Sequence, residues 1–155
     1  MGIKNILIVG CGQVAGGYDD PNSKKVLTHL GAINRIFDES VSVDIVDPNH
    51  LNYSFIKKKW YLKGKYFKSI HEIKFVSYDV ILISCNTKYH LENIKYIVNN
   101  IKCSLVICEK PCCNNYDEII LAKELCESKG INLYVNYQRR LTSEWNQIKN
   151  DINLE

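Results

Sequence analysis

An α/β fold, doubly wound around a mainly parallel six-stranded sheet, is predicted by three features of this sequence. Short β-rich apolar runs alternate with longer amphipathic segments along the chain. Two of those runs, Ile6-Leu7-Ile8-Val9 and Val80-Ile81-Leu82-Ile83, are apolar throughout, as strands covered on both faces must be. The length, 155 residues, suits one domain, which buries roughly 70% of the surface its unfolded chain exposes. A composition of 46% hydrophobic and 24% charged residues excludes disorder, collagen and coiled coil for the chain as a whole.

Taken in order, strands are predicted at 5–9, 41–46, 66–69 (a weak one), 80–84, 104–108 and 132–135. Helices are predicted at 26–37, 89–101 and 116–128. In the second helix Leu91, Ile94, Ile97, Val98 and Ile101 recur at helical spacing. The third carries a broader stripe of Ile119, Ile120, Leu121, Leu125 and Cys126, and Gly130 stops it. The stretch 53–75 is rich in lysine and aromatic residues and gives no clear element edges.

Seven cysteines would suggest a disulfide framework in an extracellular domain. Here the number is odd and several, such as Cys85, Cys103 and Cys108, fall in or beside apolar runs. They read as small buried hydrophobes in a reducing cytoplasm. The N-terminus lacks the long apolar region of a signal peptide, and no stretch approaches the ~20 apolar residues of a membrane span. The four histidines lack ligand spacing and Cys112-Cys113 has no accompanying C-x-x-C, so no metal site is predicted. The formal charge is +3. Its densest cluster, Lys57, Lys58, Lys59, Lys63, Lys65 and Lys68, contains no arginine for base readout. It reads as a solvated face rather than a nucleic-acid surface.

The first strand runs into Gly10-Cys11-Gly12-Gln13-Val14-Ala15, a G-x-G-x-x-A turn of the Rossmann type. Gly10 permits the tight turn, Gly12 lets a pyrophosphate approach the backbone, and Ala15 lets a following helix pack on the strand. The N-terminus of that helix would offer free N–H groups and a positive dipole end to the phosphates. The second strand ends at Asp47, whose carboxylate can accept from both hydroxyls of an adenosine ribose, at roughly 1.5–3 kcal/mol per bond. The same charge would repel a 2′-phosphate and so favours NAD over NADP. Asp44 is expected to point elsewhere. Asp47 lies farther from the glycines than the usual ~20 residues. The stretch 16–23 accounts for the excess, as a loop beside the cofactor. His29 follows it, either facing the site or as an ordinary helical histidine.

Three further polar clusters fall at strand carboxyl ends, where ligands of open α/β sheets gather. They are Ser84-Cys85-Asn86-Thr87-Lys88-Tyr89-His90, Cys108-Glu109-Lys110-Pro111 and Val135-Asn136-Tyr137-Gln138-Arg139-Arg140-Leu141. Asn86 or Thr87 could equally cap a helix. With GCGQVA and VDPN, these clusters make an ordered set that resembles the Gfo/Idh/MocA family, the glucose–fructose oxidoreductase and inositol dehydrogenase relatives. The resemblance covers residues 3–150, and E-K-P is its most specific element.

The resemblance implies that Gly10 and Gly12, with Gln13 and Val14 of the same turn, hold an NAD(P) pyrophosphate and that Asp47 holds the adenosine ribose. It implies that Asn86, Thr87 and His90 line the nicotinamide half. It implies that Lys110, with Glu109 beside it, reaches the nicotinamide ribose and the reacting hydroxyl as the catalytic cation. Arg139 and Arg140 match the arginine stretch at the crossover toward the family's second domain. Residues 1–140 are then the NAD(P)-binding domain, and 141–155 begin a crossover toward a C-terminal α/β substrate domain that the chain lacks.

The implied function is hydride transfer between nicotinamide and a carbinol carbon of a sugar, cyclitol or sugar-nucleotide. A stand-alone NAD(H)-binding sensor or partner-dependent module, and an unrelated nucleotide or metabolite binder on the same sheet, remain as alternatives. The implied partners are the dinucleotide and a sugar-like small molecule, with neither nucleic acid nor membrane; self-association is left open.

Overall fold

The computed structural model describes residues 2–37, 41–74 and 76–152 of the chain. Six strands, β1 (Asn5–Val9), β2 (Ser42–Val46), β3 (Tyr66–Phe67), β4 (Val80–Ile83), β5 (Leu105–Glu109) and β6 (Asn132–Asn136), form one sheet in the order β3-β2-β1-β4-β5-β6. Every pairing is parallel. The chain starts in the middle of the sheet, winds outward through β2 and β3, then returns to the other side of β1 for β4. That places a topological switch point between β1 and β4, where loops diverge at the carboxyl ends and leave a crevice.

The apolar runs are buried because helices cover both faces. Side chains of a strand alternate between faces, and β1 divides accordingly. Ile6 and Ile8 join Val43, Ile45 and Leu82 under α1 (His29–Ile36) and α2 (His50–Trp60), which contribute Leu30, Tyr53, Ile56 and Trp60. Leu7 and Val9 join Ile81 and Ile83 under α3 (His90–Asn100) and α4 (Tyr116–Ser128), which contribute Ile94, Ile97, Ala122 and Cys126. Each fully buried Val, Leu or Ile among them contributes about 1.5–3 kcal/mol. All seven cysteines are free, and five of them are buried.

Several boundaries differ from the sequence expectation, each for a local reason. The helix expected at 26–37 begins only at His29. Thr28 caps it, its side chain accepting from Gly31 N at 3.0 Å, while Val26 and Leu27 stay in an exposed loop. The weak strand shrinks to two residues. A helix absent from the sequence expectation, α2, starts after Asn49, whose Oδ1 accepts from Leu51 N at 3.0 Å. It ends at Tyr61 in the left-handed conformation (φ 54°). Beyond β6, residues Gln138–Leu141 form a 3₁₀ turn and Ser143–Ile152 form α5.

Candidate functional site

The glycine turn leaves β1 through Gly10, at φ +92°, a value that L side chains rarely adopt. A Cβ at Gly10 would lie 2.6 Å from both Cα and N of Cys85, so the turn is packed against the end of β4. Ser84 fixes that approach, its Oγ donating to Gly10 O at 2.7 Å. Gly12 is the opposite case. A Cβ there would meet nothing within 4 Å, so its backbone borders open space. One glycine is demanded by the fold; the other leaves room for a ligand.

The helix that Ala15 was expected to seat against the strand is here a single π-helical turn, Gln13–Gly17. Gly16 presses against Leu30 and Trp60, and the Gln13 carboxamide folds back over Gly17. Trp60 Nε1 donates to Gly16 O at 2.8 Å, and Lys59 Nζ donates to Gly17 O at 2.8 Å, so α2 satisfies the carbonyl end of the turn. The chain then loops outward until Asp19, itself buried, gathers it again. The Asp19 carboxylate accepts from Leu27 N at 2.6 Å, from Thr28 N at 3.2 Å and from the Thr28 hydroxyl. The extra sequence before Asp47 is this closed loop. It lengthens the spacing without moving the end of β2 away from the turn.

Asp47 is 7% exposed, and its carboxylate is fixed on both oxygens. Oδ2 accepts from Cys11 N and Oδ1 from Asn49 N, each at 2.8 Å. Two N–H donors leave lone pairs on a carboxylate that has about four acceptor positions. Tyr66 Oη donates to the Asp47 carbonyl at 2.8 Å, and Tyr66 stacks on Tyr53 with ring centroids 4.2 Å apart. Burial, and then the charge of Asp47, push the Cys11 thiol well above its ordinary value. Asp44 does point elsewhere, accepting from Lys65 N at 2.7 Å and from Tyr78 Oη at 2.8 Å.

At the end of β4, Asn86 Oδ1 faces Lys88 N at 3.5 Å and heads the 3₁₀ turn Thr87–Tyr89; Asn86 is exposed and Thr87 half-buried. His90 requires a correction. Its ring is 1% exposed, which leaves no surface for direct contact with a cofactor. Nε2 lies 3.0 Å from Cys85 O, and Nδ1 lies 3.1 Å from the carbonyl oxygens of both Pro111 and Cys112. The ring therefore ties the loop after β4 to the turn after β5.

That second turn carries Glu109 and Lys110, joined to Pro111 by a cis peptide bond. Glu109 is buried, and its Oε1 receives Asn136 Nδ2 at 2.6 Å and lies 3.0 Å from His29 Nε2. Burial pushes the Glu109 carboxyl up, but the His29 imidazole beside it, the Asn136 donor and the Lys110 N–H outweigh it, so the group is held below its ordinary value. Lys110 is exposed at the rim of a hollow of about 950 Å³, whose walls include Val14, Tyr18, Asn136, Tyr137 and Trp145. The lining is mainly apolar with a few convergent polar groups, the usual make-up of a small-molecule site.

A second hollow, of about 530 Å³, lies between α1, α2 and the start of β2, lined by Ile33, Phe37, Val43 and Trp60 among others. It opens at the amino end of β2, opposite the carboxyl ends where ligands of such sheets bind. Among the described residues no group of three or more His, Cys, Asp or Glu is placed to hold a metal ion. Among them no helix is long and apolar enough to cross a membrane.

The structure thus gathers Gly10, Gly12, Gln13, Val14, Asp47, Asn86, Thr87, Glu109 and Lys110 at the carboxyl ends of β1, β2, β4 and β5, and buries His90 beneath them. The sequence puts Asn136 in a strand-end cluster and Tyr18 and Asp19 in the 16–23 loop without giving any of them a role, and it leaves the direction of His29 open. The signals for them are long-range contacts, apart from the parallel register that sets Asn136 opposite Glu109.

A parallel sheet in this order, with a glycine turn after β1 and a carboxylate closing β2, defines a dinucleotide-binding domain. The chain belongs to the Gfo/Idh/MocA oxidoreductase family, with its NAD-binding Rossmann fold; the family model matches residues 4–137.

Comparison with curated proteins finds no match. Among solved structures, the chain is similar to the WlbA dehydrogenase from Bordetella pertussis in complex with NADH and UDP-GlcNAcA. The TM-score is 0.75 at 19% identity, over 96% of this chain and 41% of that one. It is similar to scyllo-inositol dehydrogenase from Lactobacillus casei with bound NAD(H) and scyllo-inositol, with a TM-score of 0.75 at 16% identity, over 98% and 41%. A probable dehydrogenase from Thermotoga maritima gives 0.71 at 20% identity, over 96% and 40%. The chain spans about two fifths of the length of these structures.

Proposed function

We propose that this chain is the cofactor-binding portion of an oxidoreductase that moves hydride between a nicotinamide and a carbinol carbon of a sugar, cyclitol or sugar-nucleotide. The observation that carries this reading is a juxtaposition at one end of the sheet. Open backbone at Gly12, the fixed carboxylate of Asp47 and the exposed Lys110 stand at the carboxyl ends of β1, β2 and β5, and Lys110 shares a hollow with Val14 of the glycine turn. Two of the similar structures hold NADH with UDP-GlcNAcA and NAD(H) with scyllo-inositol, which supports a polyhydroxylated substrate.

The residues present fit a dinucleotide. The Gly12 cradle is one that a side chain would fill, so the backbone of Gly10, Gly12, Gln13 and Val14 is suited to the pyrophosphate. Asp47 accepts from the adenosine ribose and repels a 2′-phosphate, favouring NAD over NADP. Asn86 and Thr87 line the crevice from β4. When bound, the nicotinamide supplies the hydride acceptor. Lys110 donates to the substrate hydroxyl oxygen and stabilises negative charge as it develops there, an effect that grows where water is excluded. Residues 1–140 form the cofactor domain. In this reading residues 141–155 begin a crossover toward the family's substrate domain.

Backbone amide NMR during an NADH titration tests this assignment. The largest shifts are expected at Gly10–Val14, Asp47, Asn86–Thr87 and Glu109–Lys110. Shifts confined to the hollow around Ile33 and Trp60 would contradict it.

A further inference from the structure

The buried contact between His29 and Glu109 is used by none of the roles above. Glu109 ends β5 and is only 9% exposed, so its carboxylate depends on protein partners. Asn136 reaches it from the neighbouring strand, where the parallel register already sets the two residues opposite each other. His29 arrives independently, from the first residue of α1 on the other side of the switch point. Its Nε2 is buried and stands 3.0 Å from Glu109 Oε1, turned off the line of a well-formed hydrogen bond and with no other partner. The imidazole nitrogen is committed to Glu109 alone.

The loop before α1 determines where His29 stands. Asp19 holds the backbone of Leu27 and Thr28, and Thr28 caps α1 one residue ahead of His29. Gly31 admits the Asp19 carboxylate, which a side chain at that position would strike. The loop that lengthens the glycine-to-Asp47 spacing therefore also delivers an imidazole to the residue preceding Lys110. Among the described residues, the titratable groups against Glu109 or lining its hollow are His29 on α1, Lys110 next in the chain, Tyr18 after the glycine turn, and Tyr137 and Arg140 after β6. None of them is a carboxylate. Asn136, from β6, is neutral.

We propose that His29 is a positioning residue for the nicotinamide side of the site, holding Glu109 ionised and oriented so that the turn bearing Lys110 keeps its place. This rests on the dinucleotide reading above. The direction in which Glu109 is shifted agrees with it, because the contributions of His29 are among those that overcome burial.

The test uses the carboxyl-carbon NMR titration of Glu109 without cofactor, followed by NADH affinity as a function of pH. In His29→Ala the Glu109 titration should move to higher pH. NADH affinity should fall roughly tenfold at neutral pH, with its acid limb moved in the same direction. His29→Gln, which keeps an N–H donor at similar reach, should recover most of that affinity. An unmoved Glu109 titration in His29→Ala would overturn the pairing. A moved titration with unchanged NADH affinity would overturn the positioning role. Failure of the unmodified chain to bind NADH would defeat the dinucleotide reading and with it this role, while the cofactor-free titration still decides the pairing itself.

Discussion

Replacing Asp47 with alanine is expected to weaken NADH binding ten- to a hundredfold, about 1.4–2.8 kcal/mol. The carboxylate is held before any ligand arrives, by Cys11 N on one oxygen and Asn49 N on the other, each at 2.8 Å. Little orientational freedom is left to lose when ribose hydroxyls dock, and hydrogen bonds to a charged acceptor contribute roughly 1.5–3 kcal/mol each. Two bonds would exceed the expected loss if water did not partly replace the carboxylate. The variant also removes the charge that repels a 2′-phosphate, so the ratio of NADH to NADPH affinity should shrink together with the affinity itself. A fold cost accompanies the binding cost, because the Cys11 N–H loses its buried acceptor, at about 1–3 kcal/mol. Thermal unfolding followed by circular dichroism separates the two effects, with fluorescence titrations run well below the transition. An Asp47→Ala variant that stays folded and binds NADH as tightly as the parent would remove the ribose role.

The second large effect concerns the two glycines of the turn, which should fail in different ways. Gly10→Ala places a methyl group 2.6 Å from the Cys85 backbone at φ +92°. Neither segment can withdraw, because Ser84 N donates to Val9 O at 2.8 Å and Ser84 Oγ donates to Gly10 O at 2.7 Å. Overpacking costs about 1–3 kcal/mol and the left-handed backbone about 1–2 more, a large share of the 5–15 kcal/mol typical of a domain. Urea denaturation should show a midpoint lowered to match, or no folded baseline. Gly12→Ala meets nothing within 4 Å at φ −81°, so its stability should stay within about 0.5 kcal/mol of the parent. Its NADH affinity should nonetheless drop by at least about tenfold, since the methyl group occupies the space meant for phosphate. A Gly12→Ala chain that binds normally would show that the pyrophosphate does not approach this backbone.

Much of the sheet was legible because its signal is local. The runs at β1 and β4 are apolar on both faces, and the structure covers both faces. The strand-end motifs stood out for the same reason: glycines, acids and E-K-P lie next to strands that are easy to see.

What the sequence concealed depends on contacts between distant residues. In α2 the buried stripe is only Tyr53, Ile56 and Trp60, and Lys57, Lys58 and Lys59 dilute its periodicity. The early start expected for α1 followed Val26 and Leu27, whose apolar character says nothing of the Asp19 carboxylate that holds them in a loop. A helix after the glycines fits the G-x-G-x-x-A pattern, but Gly16 and Gly17 hand their carbonyls to Trp60 and Lys59 on α2 instead. His90 lies in the stretch that the family resemblance assigned to the cofactor. Its burial among three carbonyl oxygens shows only in three dimensions. Glu109 was named from E-K-P, whereas its partners His29 and Asn136 come from either side of the sheet.

Calorimetric titration of the unmodified chain with NADH and, separately, NADPH tests the central claim most directly. Saturable one-site binding of NADH, with NADPH weaker by at least about tenfold, is the expected result, since a 2′-phosphate would meet the Asp47 carboxylate. Absence of heat with either dinucleotide, or equal affinity for both, would contradict it.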